Sequence, residues 1–152
     1  GQSFTIRMRV SERFRTWGNM FRSEIRGDFA YASGPFVVTM RLNTLHCEKI
    51  ALAGYLEQGY KIDRFSVYTR QTIFKVDDWD DRIYAYERDA PGNFSVPAFY
   101  GRGVWTSAVA SFRISSSLKL YLRGSLTAYP FMEGEKKKPG KAELKLQCAF
   151  SF

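Results

Sequence analysis

The fold of this chain is decided by the stretch 118–127, which reads L-K-L-Y-L-R-G-S-L-T. Leucine stands at 118, 120, 122 and 126, and Lys, Tyr, Arg, Ser and Thr stand at the odd-numbered positions between. Strict alternation of apolar and polar residues is the signature of a β-strand with one apolar and one polar face. This stretch is therefore predicted to be a strand whose polar face carries charge.

The same two-residue period extends over most of the chain. It is clear at 4–10, 36–42, 104–114 and 144–152, and weaker at 22–32, 49–57 and 61–74. We therefore predict an all-β protein with about eight strands in antiparallel, up-and-down order and no helix. Several of these strands exceed ten residues, and a strand of about 9–11 residues tilted by about 45° spans a bilayer.

Composition bounds the class of protein. The 152 residues fit one domain, 1–152, and the 16% of aromatic residues excludes a disordered chain. No apolar run reaches the ~20 residues of a membrane helix. The net charge of +8 favours anionic partners, but the arginines are scattered along the chain, so nucleic acid is not an expected partner.

The connections between strands separate a soluble barrel from a membrane barrel. Short connections are predicted at 33–35, 58–60 and 115–117, on the side of both termini. The longer ones, around 15–20, 77–102 and 130–140, fall on the other side, where the brief connection at 45–48 is the exception. Outer-membrane barrels have short periplasmic turns and longer outer loops. We therefore predict a transmembrane β-barrel of about eight strands, or ten if 75–103 adds two, with periplasmic termini. It is either a complete barrel or the C-terminal part of a larger one.

The carboxyl end adds a second indication of a bacterial outer-membrane location. The stretch 144–152 ends on Phe150 and Phe152, with apolar residues at every second position. Such an ending is similar to the C-terminal signal of outer-membrane proteins. The expected partners are thus the outer-membrane assembly machinery, outer-membrane lipid and lipopolysaccharide, and other outer-membrane proteins.

Two runs carry a family resemblance: D-D-W-D-D-R-I-Y-A-Y-E at 77–87 and F-S-V-P-A-F-Y-G-R-G at 94–103. They resemble a segment near the C-terminus of Bacteroidetes outer-membrane proteins that often carry a helix-hairpin-helix label. The resemblance covers roughly the last half of the chain and implies a Bacteroidetes outer-membrane β-barrel, without a biochemical role. The helix-hairpin-helix pattern itself is absent from this sequence, so DNA binding is not implied.

The polar positions of the strands predict a charged lumen. An eight-stranded barrel is just wide enough for side chains to fill its interior, and charges there must be paired or hydrated. The first reading is an Arg–carboxylate network that closes the lumen, and the alternative is a small anion-preferring pore. The candidates are Arg7, Arg9, Glu24, Arg26, Asp28, Arg41, Arg64, Arg70, Arg113, Arg123 and Glu143.

The segment 75–103 is the predicted recognition surface, because long loops on a rigid scaffold often carry binding residues. A hairpin between 83–87 and 96–100 above the membrane is expected for its geometry. The aspartates could hold a divalent cation, but a solvated acidic loop is the favoured reading, and no metal or cofactor is predicted. The candidate binding residues are Asp77, Asp78, Trp79, Asp80, Asp81, Tyr84, Tyr86, Phe99 and Tyr100.

The predicted role is structural, adaptor-like or binding, and not enzymatic, because no catalytic constellation is recognisable. One alternative is an outer-membrane enzyme acting on lipid, with His46 as the base, since His46 is the only histidine. Another is a soluble lipocalin-like barrel whose apolar faces point inward around a ligand.

Overall fold

The computed structural model describes residues 1–16, 20–132 and 139–151. Within these ranges the chain forms strands and no helix, and therefore contains no helix able to span a membrane. The strands are β1 (Gln2–Arg15), β2 (Met20–Ser33), β3 (Phe36–His46), β4 (Ile50–Lys61), β5 (Phe65–Val76), β6 (Ile83–Tyr84), β7 (Ala98–Phe99), β8 (Gly101–Arg113), β9 (Leu118–Ala128) and β10 (Lys141–Phe150).

Eight of these strands form one sheet in the order β1-β2-β3-β4-β5-β8-β9-β10. Every neighbouring pair is antiparallel, and the strands are 10 to 14 residues long. The predicted all-β, up-and-down arrangement of eight strands is confirmed. The predicted closure is not seen, because β1 and β10 remain the two edges of an open sheet in the described part of the chain.

The sheet has one apolar and one polar face, as the two-residue period requires. The apolar face is uncovered in the described structure, and Met8 on β1 and Leu144 on β10 are 79% and 75% exposed. Its other exposed large side chains include Phe4, Ile6, Val10, Phe21, Ile25, Met40, Leu42, Leu52, Leu56, Ile73, Phe112, Leu122, Leu126, Leu146 and Phe150. The predicted assembly residue Phe150 thus lies on the apolar face, whereas Phe152 lies outside the described residues.

Part of the polar face is covered by residues 77–100, which we call the inner segment. The expected hairpin is confirmed: β6 pairs with β7, and Glu87 forms a further bridge with Ser95. These strands are only two residues long and form a separate sheet, so the ten-strand alternative is wrong. The expected position is also corrected, because the hairpin packs against the sheet instead of standing free of it.

The main buried cluster lies where the inner segment meets the sheet. Ile83, Ala85 and Phe99 come from the segment, and they pack with four residues of the sheet. The latter are Leu45, Ala51, Phe74 and Val76. The protein therefore places its apolar core on the otherwise polar face, beneath a segment that sequence patterning treated as a loop.

One predicted turn is wrong. The connection expected at 58–60 lies within β4, and the chain turns after Lys61 instead. Gly59 is required in the strand because the ring of its partner Tyr68 lies over it, and a Cβ at Gly59 would meet that ring at 2.3 Å. The glycine therefore marks a close side-chain approach and not a turn.

Gly59→Ala is expected to destabilise the sheet by about 1–3 kcal/mol, because the added methyl group displaces the Tyr68 ring. The free energy of unfolding in denaturant measures this. Gly27→Ala in β2 is the matched control, because a Cβ there has no atom within 4 Å. Equal effects of the two substitutions would contradict the packing of Tyr68 over Gly59.

Candidate functional site

Asp81 fastens the inner segment to the β3–β4 turn. Its carboxylate accepts hydrogen bonds from the backbone amides of Cys47, Glu48 and Lys49 at 2.6, 3.2 and 2.6 Å. The side chain is fully buried, and a buried carboxylate is tolerated only when such donors satisfy it. Asp81 therefore acts as a structural anchor at the start of the hairpin.

Stacked aromatic rings hold the next part of the segment. Phe99 of β7 stacks on Phe74 of β5 with ring centroids 4.9 Å apart, and Tyr129 meets Phe74 edge-on at 6.0 Å. Gly103 of β8 lies beside Phe74, and a Cβ there would meet the Phe74 ring at 2.9 Å and the Ala128 carbonyl at 2.5 Å. The second glycine of the G-R-G run thus allows the close packing around Phe74.

Glu87 is the main charged contact between the inner segment and β8 and β9. Its carboxylate accepts hydrogen bonds from Trp105 Nε1 at 2.7 Å, Ser107 Oγ at 3.2 Å and Arg123 Nη2 at 2.8 Å. The Glu87 and Arg123 side chains are 2% and 4% exposed. Arg123 also donates to Ser95 at 2.7 Å, on the returning arm of the hairpin. This buried pair therefore joins both arms to the sheet.

A second buried pair, Glu57 of β4 with Arg70 of β5, also bonds to the inner segment. Arg70 donates two hydrogen bonds to Glu57, at 3.0 and 2.6 Å, and a third to the Tyr86 carbonyl at 2.7 Å. Arg88 completes the group by donating to the other Glu57 oxygen at 2.9 Å. Each guanidinium also lies over a tyrosine ring, Arg70 over Tyr55 and Arg88 over Tyr68. Both oxygens of the buried Glu57 are thus paired, one with the buried Arg70 and the other with the partly exposed Arg88.

The segment reaches across most of the sheet. Arg22 of β2 donates to the Arg82 carbonyl at 3.0 Å, and Gln147 of β10 donates to the Pro91 carbonyl at 2.9 Å. Asn93 donates to the Gln147 side chain at 2.6 Å. The inner segment thus bonds to residues on strands near both edges.

A cavity of about 330 Å³ remains between the inner segment and β1 to β5. Asp28 lies in its wall and pairs with Arg26 and Arg41. Beside it, Asn43 donates to Glu24 at 3.0 Å. Arg7 lines the same cavity. The predicted lumen charges of β2 and β3 are thus brought together, and the Asp28 carboxylate is shared between Arg26 and Arg41.

The remaining predicted lumen residues lie in other surroundings. Arg64 lies in the turn between β4 and β5, so its placement on a strand is corrected. Arg113, at the end of β8, faces Asp63 at 3.5 Å, and Glu143 pairs with Lys145 at 2.8 Å. Arg9 lies on the polar side of β1, exposed, opposite Arg26.

The predicted recognition residues separate into buried and exposed groups. Asp81 and Phe99 are buried, and Tyr100 is partly buried beside the core and meets Trp79 edge-on at 5.4 Å. The exposed aromatic side chains of this segment are Trp79, Tyr84, Tyr86 and Phe94.

The aspartates of the segment have separate partners. Asp77 pairs with Arg102, Asp78 accepts from the Asp80 amide at 3.1 Å, and Asp80 lies 3.9 Å from Arg82. Among the described residues, no group of three or more His, Cys, Asp or Glu side chains is placed to hold a metal ion. His46 is exposed, and no described side chain forms a hydrogen bond with it.

Sequence patterning missed Glu57, Glu87, Arg88 and Trp105. Glu57 lies on the same, polar side of β4 as Tyr55 and Gly59. A predicted strand that extended to Lys61 would therefore have placed Glu57 in the network. Glu87 and Arg88 lie outside the named strands. The two-residue alternation of apolar and polar residues therefore cannot predict which way their side chains point. Trp105 lies two residues from Ser107 on β8 and therefore on the same face, and this spacing was the available signal for its position on the polar face.

Comparisons with protein-family models, with curated proteins and with solved structures found no match to this chain.

Glu87→Ala is expected to destabilise the protein by about 3 kcal/mol, because it leaves the buried Arg123 with only the more distant Asp89 carboxylate, 3.7 Å away. Denaturant unfolding measures the loss, and limited proteolysis reports release of the inner segment. Asp63→Ala is the matched control, because its pair with Arg113 is exposed and worth about 0–1 kcal/mol. A small effect of Glu87→Ala with the segment still protected would contradict this role.

Asp77 supplies a pH prediction. Its carboxylate accepts two hydrogen bonds from Arg102, at 2.7 and 2.8 Å, and these lower the pKa of Asp77 below its ordinary 3.8. Because the folded-state pKa is the lower one, the contact is complete above pH 3.8 and is lost as the pH falls through the folded value. An NMR titration of Asp77 should therefore have its midpoint below 3.8, and Arg102→Gln should return it towards 3.8. An unchanged midpoint in Arg102→Gln would contradict the pairing.

Proposed function

We propose that this chain forms the wall of a bacterial outer-membrane β-barrel whose interior is filled by its own inner segment. Its role is that of a structural or binding scaffold, and conduction and catalysis are not part of it. The resemblance of 77–87 and 94–103 supports a Bacteroidetes origin for this barrel.

The observation that carries the proposal is the distribution of the two faces. Large apolar side chains are exposed on one face of all eight strands, from Met8 on β1 to Leu144 on β10. The opposite face holds the buried charged pairs Glu87–Arg123 and Glu57–Arg70. Soluble monomers rarely expose a contiguous apolar patch larger than a few hundred Å². These strands are long enough to span a bilayer, and lipid would then cover the apolar face.

The alternatives need different arrangements. A lipocalin-like barrel requires the apolar faces to line a cavity, and here they point away from the inner segment. An anion-preferring pore requires an open polar interior, whereas the inner segment bonds to residues of six strands from β2 to β10. A lipid-acting enzyme requires groups that converge on His46, and no described side chain bonds to it.

The recognition role stays with the exposed aromatics of the inner segment. Tyr86 and Phe94 are 67% and 82% exposed and meet edge-on with centroids 5.7 Å apart. Arg82 lies over the Trp79 ring at 4.6 Å. These rings are the part of the segment that would contact a partner protein or a sugar, with lipopolysaccharide and other outer-membrane proteins as proposed neighbours. The C-terminal strand, with Phe150 on the apolar face, is proposed to engage the assembly machinery.

The proposal predicts that the chain folds in detergent or lipid and remains unfolded or aggregated in plain buffer. Circular dichroism reports the β-structure, and a different gel mobility of boiled and unboiled samples in SDS reports a stable barrel. Leu122→Arg on the apolar face should destabilise the lipid-folded form by about 2–4 kcal/mol near the bilayer centre.

Lys119→Ala in the same strand is the control, because Lys119 points to the polar side and changing it adds no charge to the apolar face. A monodisperse β-rich monomer in buffer without detergent would contradict a lipid-facing wall. So would a Leu122→Arg variant that is as stable in lipid as the unchanged chain.

A further inference from the structure

The free edge of β1 is the strongest unassigned feature of the fold. β1 pairs with β2 over its whole length, Gln2 to Arg15, and its other edge is unpaired in the described structure. An unpaired strand edge presents a row of backbone donors and acceptors that readily accept another strand. Inside a bilayer such an edge would leave backbone groups unsatisfied at a cost of several kcal/mol each.

The volume of the inner segment argues against closure of these eight strands on themselves. An eight-stranded barrel has an interior just wide enough for the side chains of its own strands. Here the polar face also holds a hairpin with its own buried residues, among them Asp81, Ile83 and Phe99. A wall that encloses this hairpin therefore needs more than eight strands.

Charge indicates what kind of strand the β1 edge accepts. Arg7, Arg9 and Arg13 stand at alternate or near-alternate positions on its polar side, and all three are exposed. In the described structure none of them forms an ion pair or side-chain hydrogen bond. Arg9 lies directly opposite Arg26, and Arg13 directly opposite Arg22. Arg7 lies opposite Asp28, whose carboxylate is already paired with Arg26 and Arg41. Like charges in directly opposed positions destabilise a strand pair unless carboxylates offset them.

The opposite edge does not supply these carboxylates. The polar side of β10 carries Glu143, Lys145 and Gln147, and Glu143 is already paired with Lys145 at 2.8 Å. Joining β1 to β10, of the same chain or of a second copy, would therefore place three arginines beside a strand with no spare negative charge. Charge complementarity favours a different strand.

We infer that the β1 edge binds an additional antiparallel strand with apolar residues on one side and carboxylates on the other. The carboxylates face Arg7, Arg9 and Arg13, and the apolar residues continue the face formed by Phe4, Ile6 and Met8. The inference rests on the proposed function only in treating the sheet as a barrel wall, since the free edge and its arginines do not depend on a membrane.

Two synthetic peptides test the inference. One alternates Val with Glu over ten residues, and the other alternates Val with Lys. Three exposed ion pairs predict roughly tenfold tighter binding of the Glu peptide to the purified chain at low salt. Hydrogen exchange should show protection of the β1 amides by the Glu peptide. The binding is measured both in detergent and in plain buffer. Peptide binding to β1 is then tested in whichever condition gives β-structure, so a failure of the membrane proposal does not decide the outcome.

Charge reversal supplies the matched variants. The double variant Arg9→Glu and Arg13→Glu should reverse the preference towards the Lys peptide, and it would place opposite charges against Arg26 and Arg22, so the sheet is not weakened. The double variant Lys61→Glu and Arg64→Glu makes the same change in net charge at the β4–β5 turn and should leave the preference unchanged. Equal binding of both peptides, or no protection of β1, would overturn the inference.

A disulfide test addresses closure by β10. Cys148 lies exposed on the apolar side of β10, and a Cys47→Ser background leaves it as the single thiol. Phe4→Cys, Ile6→Cys and Met8→Cys then place a second thiol along the apolar side of β1. We expect no cross-link, because a disulfide requires Cβ atoms about 3.5–4.5 Å apart. A cross-link within one chain would show an eight-stranded closure, one between chains would show a second copy, and either would overturn the inference.

Discussion

The buried pairing of Glu87 with Arg123 is the interaction on which the rest of the structure depends. It joins an irregular segment to the polar face of the sheet at a site where both side chains are almost fully buried. A charge removed from water in this way is tolerated only with a partner and further hydrogen bonds, which Trp105, Ser107 and Ser95 supply. The same requirement fixes Glu57 between Arg70 and Arg88. The polar face is therefore a specific binding surface for the inner segment.

This arrangement explains why the apolar core is small and displaced. In a soluble sheet the apolar face would carry the core, but here that face is exposed across all eight strands. The buried apolar residues instead lie beneath the hairpin, around Phe74 and Phe99. The inner segment thus has two roles, because it packs over the polar face and supplies three of the seven residues of the buried cluster. A lipid environment would stabilise the other face without any protein partner.

The aspartates of the inner segment have a structural role that the sequence alone does not indicate. Four acidic residues in five positions read, in sequence, as an acidic loop or a weak cation site. In the fold each has its own partner. Asp81 accepts from three backbone amides, and Asp78 accepts from the backbone of Asp80. Asp77 pairs with Arg102, and Asp80 lies 3.9 Å from Arg82. Charge in this segment is used to hold its path across the sheet. Its recognition surface is reduced to the aromatic rings that the path leaves exposed.

By itself, the sequence determined the strand content, the antiparallel up-and-down order and the two faces of each strand. These follow from the two-residue period, which is a local property of the chain. The turn at 58–60 was misplaced because Gly59 serves a contact with Tyr68 from the next strand, and no local pattern records that contact. The pairing of the β6–β7 hairpin could be anticipated, but its packing against the polar face could not. That position depends on charges more than thirty residues apart, such as Glu87 and Arg123, and only the folded chain brings them together.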